Sequence, residues 1–312
     1  MTVNTARRSP LTVYVALTFS ALFWGSGFAV IKFGLRSVTP LQLLAGASFF
    51  AALAEVLWCA GRGRLGQLRL PANLLWPVLA LGVVGQTILN GLTFLGLEWT
   101  TATNAALLYA SSPVLIGLFA TMFLGEAFGP RKLLGSLVGF LGVAVIITQG
   151  WAGTVQFHGV MLGNLAVFGG AVYWAVYSVA TRSIAQRISA EAFTFYLLLL
   201  GAVGPMAWDW ARERHFPLSG ISRPGLAAMA FMGIATLTIA MNFWNWGLER
   251  IAASRVGVFS YLEPVFASLV AMTFLGERLT AASGAGAALV FAGIYFSVRE
   301  PHSEMSSSHS EK

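Results

Sequence analysis

The sequence predicts an all-α integral membrane protein: ten transmembrane helices arranged as two inverted five-helix repeats around a central cavity. Three observations predict it. Hydrophobic residues make up 57% of the 312-residue chain and charged residues only 10%, and the mean hydropathy is +0.74, which soluble globular domains do not approach. Long apolar stretches recur along the whole chain, and one segment is repeated within it.

Ten apolar stretches of roughly 20 residues are separated by short polar or Pro- and Gly-marked turns, and each is long enough to span the hydrocarbon core as a helix. None shows the sustained alternation of a barrel strand. The predicted spans are residues 11–33, 40–60, 73–96, 101–124, 131–149, 159–181, 190–210, 225–247, 252–275 and 280–298. The first span runs too far for a signal peptide and has no small-x-small cleavage pattern, so we interpret it as a retained helix.

The net charge of +7 comes from basic residues scattered between the spans. They form no block interleaved with exposed aromatics, so we expect no nucleic-acid partner. With a cytoplasmic N-terminus, the inside segments hold Arg7, Arg8, Arg62, Arg64, Arg69, Arg131, Lys132, Arg182, Arg187, Arg250, Arg255, Arg299 and Lys312. The outside segments hold Lys32, Arg36, Arg212, Arg214, Arg223 and Arg278. The positive-inside rule therefore predicts that both termini are cytoplasmic.

The sequence offers little to a catalytic or metal site. Cys59 is the only cysteine, which excludes an intramolecular disulfide and a multi-thiolate metal site. There is no HExxH or Walker A motif, and His158 and His215 lie in predicted loops. We predict that the protein is not an enzyme and uses no cofactor or metal.

Residues 96–126 can be laid on residues 247–277 with a constant offset and no gap, sharing GLE, a Pro-Val pair and a closing FLGE. This predicts an N-terminal repeat (1–150), a C-terminal repeat (151–300) and a polar cytoplasmic tail (301–312). Because five crossings is an odd number, the second repeat starts on the opposite side of the membrane and the repeats are inverted. Inverted repeats around a midplane site are typical of secondary transporters.

Small residues and span-end carboxylates are predicted to hold the bundle together. Gly135, Gly139 and Gly142 in one repeat match a similar set, Gly284, Gly286 and Gly293, in the other, and small residues let helices approach closely in lipid. Glu126 and Glu277 close the two FLGE segments, where we expect a structural or gating role.

The repeat, the WGSGF stretch at 24–28, the duplicated FLGE and the LEPV element at 262–265 resemble the drug/metabolite transporter superfamily, specifically its EamA-type permeases. The resemblance covers about residues 11–298, and the closest likeness is to bacterial aromatic amino-acid exporters. It implies a ten-helix permease of the bacterial inner (plasma) membrane that exports amino acids or other metabolites. We expect a small-molecule substrate and function as a monomer, since one chain supplies both halves.

Polar side chains deep in a span should face protein or a water-filled cavity. Gln86 and Asn90 of span three are four residues apart, as are Thr238, Asn242 and Trp246 of span eight, so each set is predicted to share a helix face. Two roles are open for the polar members: lining a substrate cavity, or tying helices together by hydrogen bonds.

Aromatic residues form a second set of cavity candidates. Trp24 and Trp174 lie well inside their spans at matching positions of the two repeats, and Tyr173 and Tyr177 share a face of span six. Such side chains suit the walls of an aromatic substrate site. Anchoring at the membrane interface is the alternative.

Pro113 and Pro264 lie within spans four and nine, and each removes a backbone donor, so both helices should bend there. The bends are predicted as hinges, with a static kink as the alternative. Before the prolines, the candidate cavity residues are Tyr109 and Ser112 in the first repeat and Tyr261 and Glu263 in the second.

Glu263 stands mid-span, where a charge is costly. Three roles are open for it: a hydrogen bond to a neighbouring helix, binding of a substrate amine, or binding and release of a transported proton.

These features favour a secondary or facilitative transporter that exports small amphipathic metabolites by alternating access, above all hydrophobic or aromatic amino acids. Few buried charges argue against a highly phosphorylated substrate. A drug or nonpolar-metabolite exporter is the main alternative, followed by a nucleoside or sugar carrier.

Overall fold

The architecture is known from a computed structural model that describes residues 10–124, 130–148, 159–184, 188–213, 221–248, 250, 259 and 262–298. In the first half the helices are α1 (Pro10–Gly34), α2 (Pro40–Gly61), α3 (Leu75–Ala80), α4 (Asn90–Gly96), α5 (Ala102–Tyr109), α6 (Ser112–Leu124) and α7 (Pro130–Thr148). In the second they are α8 (Val160–Ile184), α9 (Ala190–Glu213), α10 (Arg223–Phe231), α11 (Ala240–Leu248), α12 (Glu263–Val270) and α13 (Ala281–Val298). Within these described ranges there is no strand.

Ten apolar helical segments occupy the ten predicted positions. Seven are long and apolar enough to cross a membrane: Leu11–Gly34, Pro40–Gly61, Ala72–Gly96, Ala102–Phe123, Val160–Tyr177, Glu191–Ala211 and Arg223–Trp244. Three are shorter: Leu133–Ile146, Glu263–Leu275 and Ala281–Gly293. The prediction of an all-α, ten-helix membrane protein is confirmed.

The exterior of the bundle is apolar, as expected of a surface in contact with lipid. Phe274 is 80% exposed and Trp76 78% exposed, whereas Leu43, Leu44 and Leu108 are fully buried. A soluble protein rarely exposes so much contiguous apolar surface. Contact with acyl chains accounts for it here.

Spans three and eight each contain a π-helical turn at matching positions. Leu81–Leu89 joins α3 to α4, and Met232–Ile239 joins α10 to α11. Adding 151 to 81 gives 232, which is also the offset from Gly96 to Gly247 in the repeated segment. Bonding from residue i to i+5 rotates the following residues, so the two spans do not keep a uniform helical face.

Glycines at the start of these turns bring the spans against helices of the opposite repeat. Gly82 packs on Leu200 of α9, and its counterpart Gly233 packs on Ala47 and Phe50 of α2. Leu200 and Phe50 are themselves equivalent, because the first two helices of each half are offset by 150 residues. The two halves therefore contact each other through equivalent residues.

The same symmetry governs α7 and α13, which cross at their glycines. A Cβ on Gly142 would lie 2.6 Å from the carbonyl oxygen of Gly286, and a Cβ on Gly293 would lie 2.5 Å from that of Gly135. Both pairs are exchanged by the 151-residue offset (142 to 293, 135 to 286). Only glycine allows the two backbones to approach so closely.

Gly293→Ala should therefore lower stability by about 1–3 kcal/mol, because the new methyl group collides with backbone that cannot rotate away. Thermal unfolding of the purified protein in detergent measures this. Gly117→Ala is the matched control, since a Cβ there has no heavy atom within 4 Å. Equal melting temperatures of the two variants would contradict the close-contact account.

Candidate functional site

A cavity of about 680 Å³ opens at the membrane end where α1 begins and α2 ends, which we call the open end. Both halves build its walls: α1 and α2 from the first, α9 and α11 from the second. The lining residues are Thr12, Val15, Ala16, Phe19, Glu55, Trp58, Arg62, Arg64, Glu191, Thr194, Met241, Asn242, Phe243, Trp246 and Arg250. The volume is in the range of small-molecule sites in proteins.

Glu55 is the most buried charged side chain of this lining, at 3% exposure. It lies on α2 within the apolar stretch AALAEVLW. Asn242 of α11 donates from Nδ2 to Glu55 Oε2 at 3.4 Å and to the Thr238 carbonyl at 3.0 Å. Thr238 Oγ1 donates to the Ala51 carbonyl on α2 at 3.3 Å. The amide of Asn242 is thus fixed by its own helix and aimed at the carboxylate.

The mouth of the cavity is charged and aromatic. The guanidinium carbon of Arg62 lies 3.7 Å from the ring centre of Trp58, and that of Arg250 lies 4.4 Å from the ring centre of Trp246. Both are cation–π geometries. Glu191, in the first turn of α9, adds a carboxylate at the same level.

An aromatic cluster lies beyond the inner end of the lining. Trp24 follows Phe19 on α1 by five residues, a rise of about 7.5 Å. Its ring centre is 5.1 Å from that of Trp244 and 5.8 Å from that of Trp174. Trp174 stacks on Tyr177 at 5.3 Å. Trp24 also donates from Nε1 to the Thr236 carbonyl at 3.0 Å, within the π-helical turn. The predicted Trp24, Trp174 and Tyr177 are therefore brought together.

Three other candidates lie inside the protein. The Tyr173 hydroxyl donates to Gln86 Oε1 at 3.3 Å, and both side chains are buried. Tyr109 lies 3.4 Å from the Thr93 hydroxyl and packs on Phe28. These contacts fit the interhelical role that the sequence left open.

Gln86 is buried, whereas Asn90 is half-buried. Span eight behaves differently: Asn242 and Trp246 line the cavity, whereas Thr238 is buried against α2.

The predicted hinges lie at helix boundaries. α5 ends at Tyr109 and α6 begins at Ser112, so span four is interrupted directly before Pro113. Ser112 Oγ is buried and has no hydrogen-bond partner among the described residues. Pro264 is buried in the first turn of α12, and Tyr261 lies outside the described residues.

Glu263 begins α12 and is half-buried beside α1. A Cβ on Gly25 would lie 2.5 Å from the Glu263 carbonyl oxygen, so the glycine of WGSGF brings the two backbones together. Gly27 packs on Thr236 and Met232. The two glycines of the WGSGF stretch thus allow α1 to pack closely between spans eight and nine.

The opposite end of the bundle, the sealed end, is tied by polar contacts. Glu277 Oε1 accepts from the Ala102 amide at 2.9 Å, and Oε2 accepts from the Thr103 amide at 3.2 Å and hydroxyl at 3.0 Å. The carboxylate thereby caps the N-terminus of α5, where it meets the positive end of the helix dipole. Lys32 donates to the Leu97 and Thr100 carbonyls beyond α4.

At the sealed end, the residues equivalent to two of the cavity-lining residues contact each other. Trp208 of α9 packs on Gly91 of α4 there. By the offsets of 150 and 151 residues, the counterparts of Trp208 and Gly91 are Trp58 and Asn242, which both line the open cavity. Tryptophan therefore packs against glycine at one end, while the equivalent positions at the other end line an open cavity.

Inverted repeats, an apolar exterior and a cavity shared by both halves define the class of multi-pass membrane transporters. The chain belongs to the EamA-like transporter family, which matches residues 11–148 and, a second time, residues 161–299. The resemblance stated from the sequence is confirmed.

Several relatives are similar over most of their length. The aromatic amino acid exporter YddG of Ancylobacter novellus is 28% identical, covering 81% of this chain and 85% of its own. A probable terminal-alkyne amino-acid exporter of Streptantibioticus cattleyicolor is 28% identical over 89% of this chain and 91% of its own. The uncharacterized transporter YyaM of Bacillus subtilis is 28% identical over 91% and 92%. A solved crystal structure superposes with a TM-score of 0.65 at 26% identity, covering 92% of this chain and 97% of that one.

Glu55, Trp58 and Trp244 were not predicted from the sequence. The signal for Glu55 was present, since a lone carboxylate in an apolar span is the pattern that singled out Glu263. Its partner Asn242 is 187 residues away, and only the fold brings the two together.

Glu277→Ala should remove the cap of α5, lower stability by about 0.5–2 kcal/mol and speed amide hydrogen exchange at Ala102 and Thr103. Exchange mass spectrometry of the peptide that contains them measures this. Arg278→Ala, at the exposed neighbouring position, is the control. Unchanged protection of both amides in Glu277→Ala would show that the carboxylate does not hold this helix end.

Proposed function

We propose that the protein is a secondary or facilitative transporter that exports small amphipathic metabolites, foremost hydrophobic or aromatic amino acids, by alternating access. The observation that carries the proposal is the cavity walled by both repeats and open at one end, whereas Trp208 packs on Gly91 at the equivalent place of the other end. Two similar halves can exchange such arrangements and expose one site to either side. Residues 1–150 and 151–300 are the proposed units.

Aromatic walls favour an aromatic substrate. Trp24, Trp174, Trp244 and Tyr177 present ring faces and edges to one another beyond the lining residues, and all four are only partly buried. Offset and edge-to-face ring contacts would stabilise a further ring between them. The similarity to an aromatic amino acid exporter and to a probable terminal-alkyne amino-acid exporter supports the same substrate class.

The proposed location is the bacterial inner membrane with both termini cytoplasmic. The open end carries Arg62, Arg64 and Arg250, in keeping with the excess of basic residues on that side. The cavity would then face the cytoplasm, where an exporter takes up its substrate.

Transport of aromatic amino acids is tested in proteoliposomes with labelled tryptophan and phenylalanine. Saturable uptake is expected, and Trp24→Ala should reduce the initial rate at low substrate concentration about tenfold, because loss of one aromatic contact weakens binding. Trp76→Ala is the matched control, since that side chain is 78% exposed on the lipid face.

Uptake confined to uncharged apolar compounds would overturn the amino-acid proposal in favour of a drug or nonpolar-metabolite exporter. Uptake confined to nucleosides or sugars would equally overturn it. Equal losses in Trp24→Ala and Trp76→Ala would remove Trp24 from the substrate path.

The orientation is tested by cysteine labelling in intact cells. Gly66→Cys, beyond α2, should react with a membrane-impermeant maleimide only after permeabilisation, whereas Arg36→Cys, beyond α1, should react in intact cells. The native Cys59 is 1% exposed, and a Cys59→Ser background removes its signal. The reverse labelling pattern would place the termini outside.

A further inference from the structure

We propose that Glu55, held by Asn242, is the binding site for the positively charged ammonium group of the substrate. This rests on the proposed function and assigns one part of the cavity a chemical partner. It also moves the amine-binding role, which the sequence left open for Glu263, to a different carboxylate.

One carboxylate oxygen of Glu55 is available for a ligand. Asn242 donates to Oε2 at 3.4 Å, and no other described residue donates to this carboxylate. The side chain is 3% exposed, yet it lines the cavity. A buried carboxylate with an unused acceptor oxygen favours a charged donor, because hydrogen bonds between ionised partners are the stronger ones.

The carboxylate is not needed to join the helices. α2 contacts span eight through Gly233 on Ala47 and through the Thr238 hydroxyl on Ala51. In the inverted half the counterpart of Glu55 is Pro205, yet α9 still contacts span three, through Gly82 on Leu200. Because the second half makes the equivalent helix contact without a carboxylate, joining the helices does not explain why Glu55 is present.

The surroundings suit an organic cation. Trp58 and Trp246 line the same cavity, and each holds a guanidinium over its ring, a geometry in which an aromatic face stabilises a cation. Phe19 and Phe243 add two further aromatic rings to the lining of this cavity. Aromatic rings with one carboxylate are a common arrangement for binding ammonium groups.

The other charged residues of the cavity lie nearer its mouth than Glu55 does. Glu191 of α9 and Arg62, two turns along α2, act on Glu55 electrostatically, and Arg64 and Arg250 lie with them at the mouth. An amino acid can therefore place its ammonium at Glu55, its carboxylate toward the arginines and its ring toward Trp24. Each part of the substrate meets complementary chemistry.

The test compares three ligands that share an indole ring: tryptophan, tryptamine, which lacks the carboxylate, and indole-3-propionate, which lacks the amine. Binding to the purified full chain in detergent is measured by calorimetry. The wild type should bind tryptophan and tryptamine at least about tenfold more tightly than indole-3-propionate. Glu55→Gln should abolish that preference, because its amide still accepts from Asn242 but carries no charge.

Glu98→Gln, an exposed glutamate at the sealed end, is the matched control and should keep the preference. Glu55→Asp retains the charge and should restore part of it, which a loss of folding could not explain. A preference unchanged in Glu55→Gln overturns the proposal. So does a variant that keeps amine binding but loses transport driven by a pH gradient, since Glu55 would then carry a proton.

The two proposals fail separately. If tryptophan is not transported but tryptamine binding depends on Glu55, the ammonium site stands and the amino-acid substrate class falls. If tryptophan is transported equally well by wild type and Glu55→Gln, with no change in ligand preference, the substrate class stands and the ammonium site falls.

Discussion

Backbone contact between glycine-bearing helices is the constraint on which the rest of the structure depends. Lipid gives helices no hydrophobic reason to associate, so the halves must gain contact area by close approach. Gly142 and Gly293 supply it where α7 meets α13, and Gly25 supplies it where α1 meets α12. Gly82 and Gly233 likewise bring spans three and eight against α9 and α2, so side chains from distant parts of the sequence meet at the cavity.

The two halves share a symmetric framework, but the polar residues at the sealed end differ from those at the open end. The sealed end uses helix capping by Glu277 and carbonyl binding by Lys32, both of which neutralise helix termini that lipid-facing segments leave unsatisfied. The open end instead carries Glu55 and Asn242, which have no polar equivalents at Pro205 and Gly91. The repeat therefore specifies the framework, and the departures from it locate the candidate site.

The number, type and positions of the helices could be predicted because apolar length is dictated by bilayer thickness, whatever the tertiary contacts. The burial of individual side chains could not, because it depends on the neighbouring helices: Gln86 is buried, whereas Asn90 is half-buried. Trp24 and Trp174 were predicted to share a site from their matching positions, with Tyr177 of span six beside them, and the three rings do meet. Glu55 was missed because its meaning depends on Asn242, a contact that no local pattern encodes.

The tryptophan that fills the sealed end has an energetic consequence. Trp208 rests on Gly91, so the mirror-image closure would have to bring Trp58 onto Asn242, a larger residue already bonded to Glu55, and would detach Arg62 from the indole face. If the halves exchange arrangements as proposed, the two end states therefore differ in packing, and the state described has its cavity open at the end where α1 begins. A preference of 100 to 1 between such states requires only about 2.7 kcal/mol. Under the proposed alternating access, preferential binding of substrate to the other state would have to offset this difference.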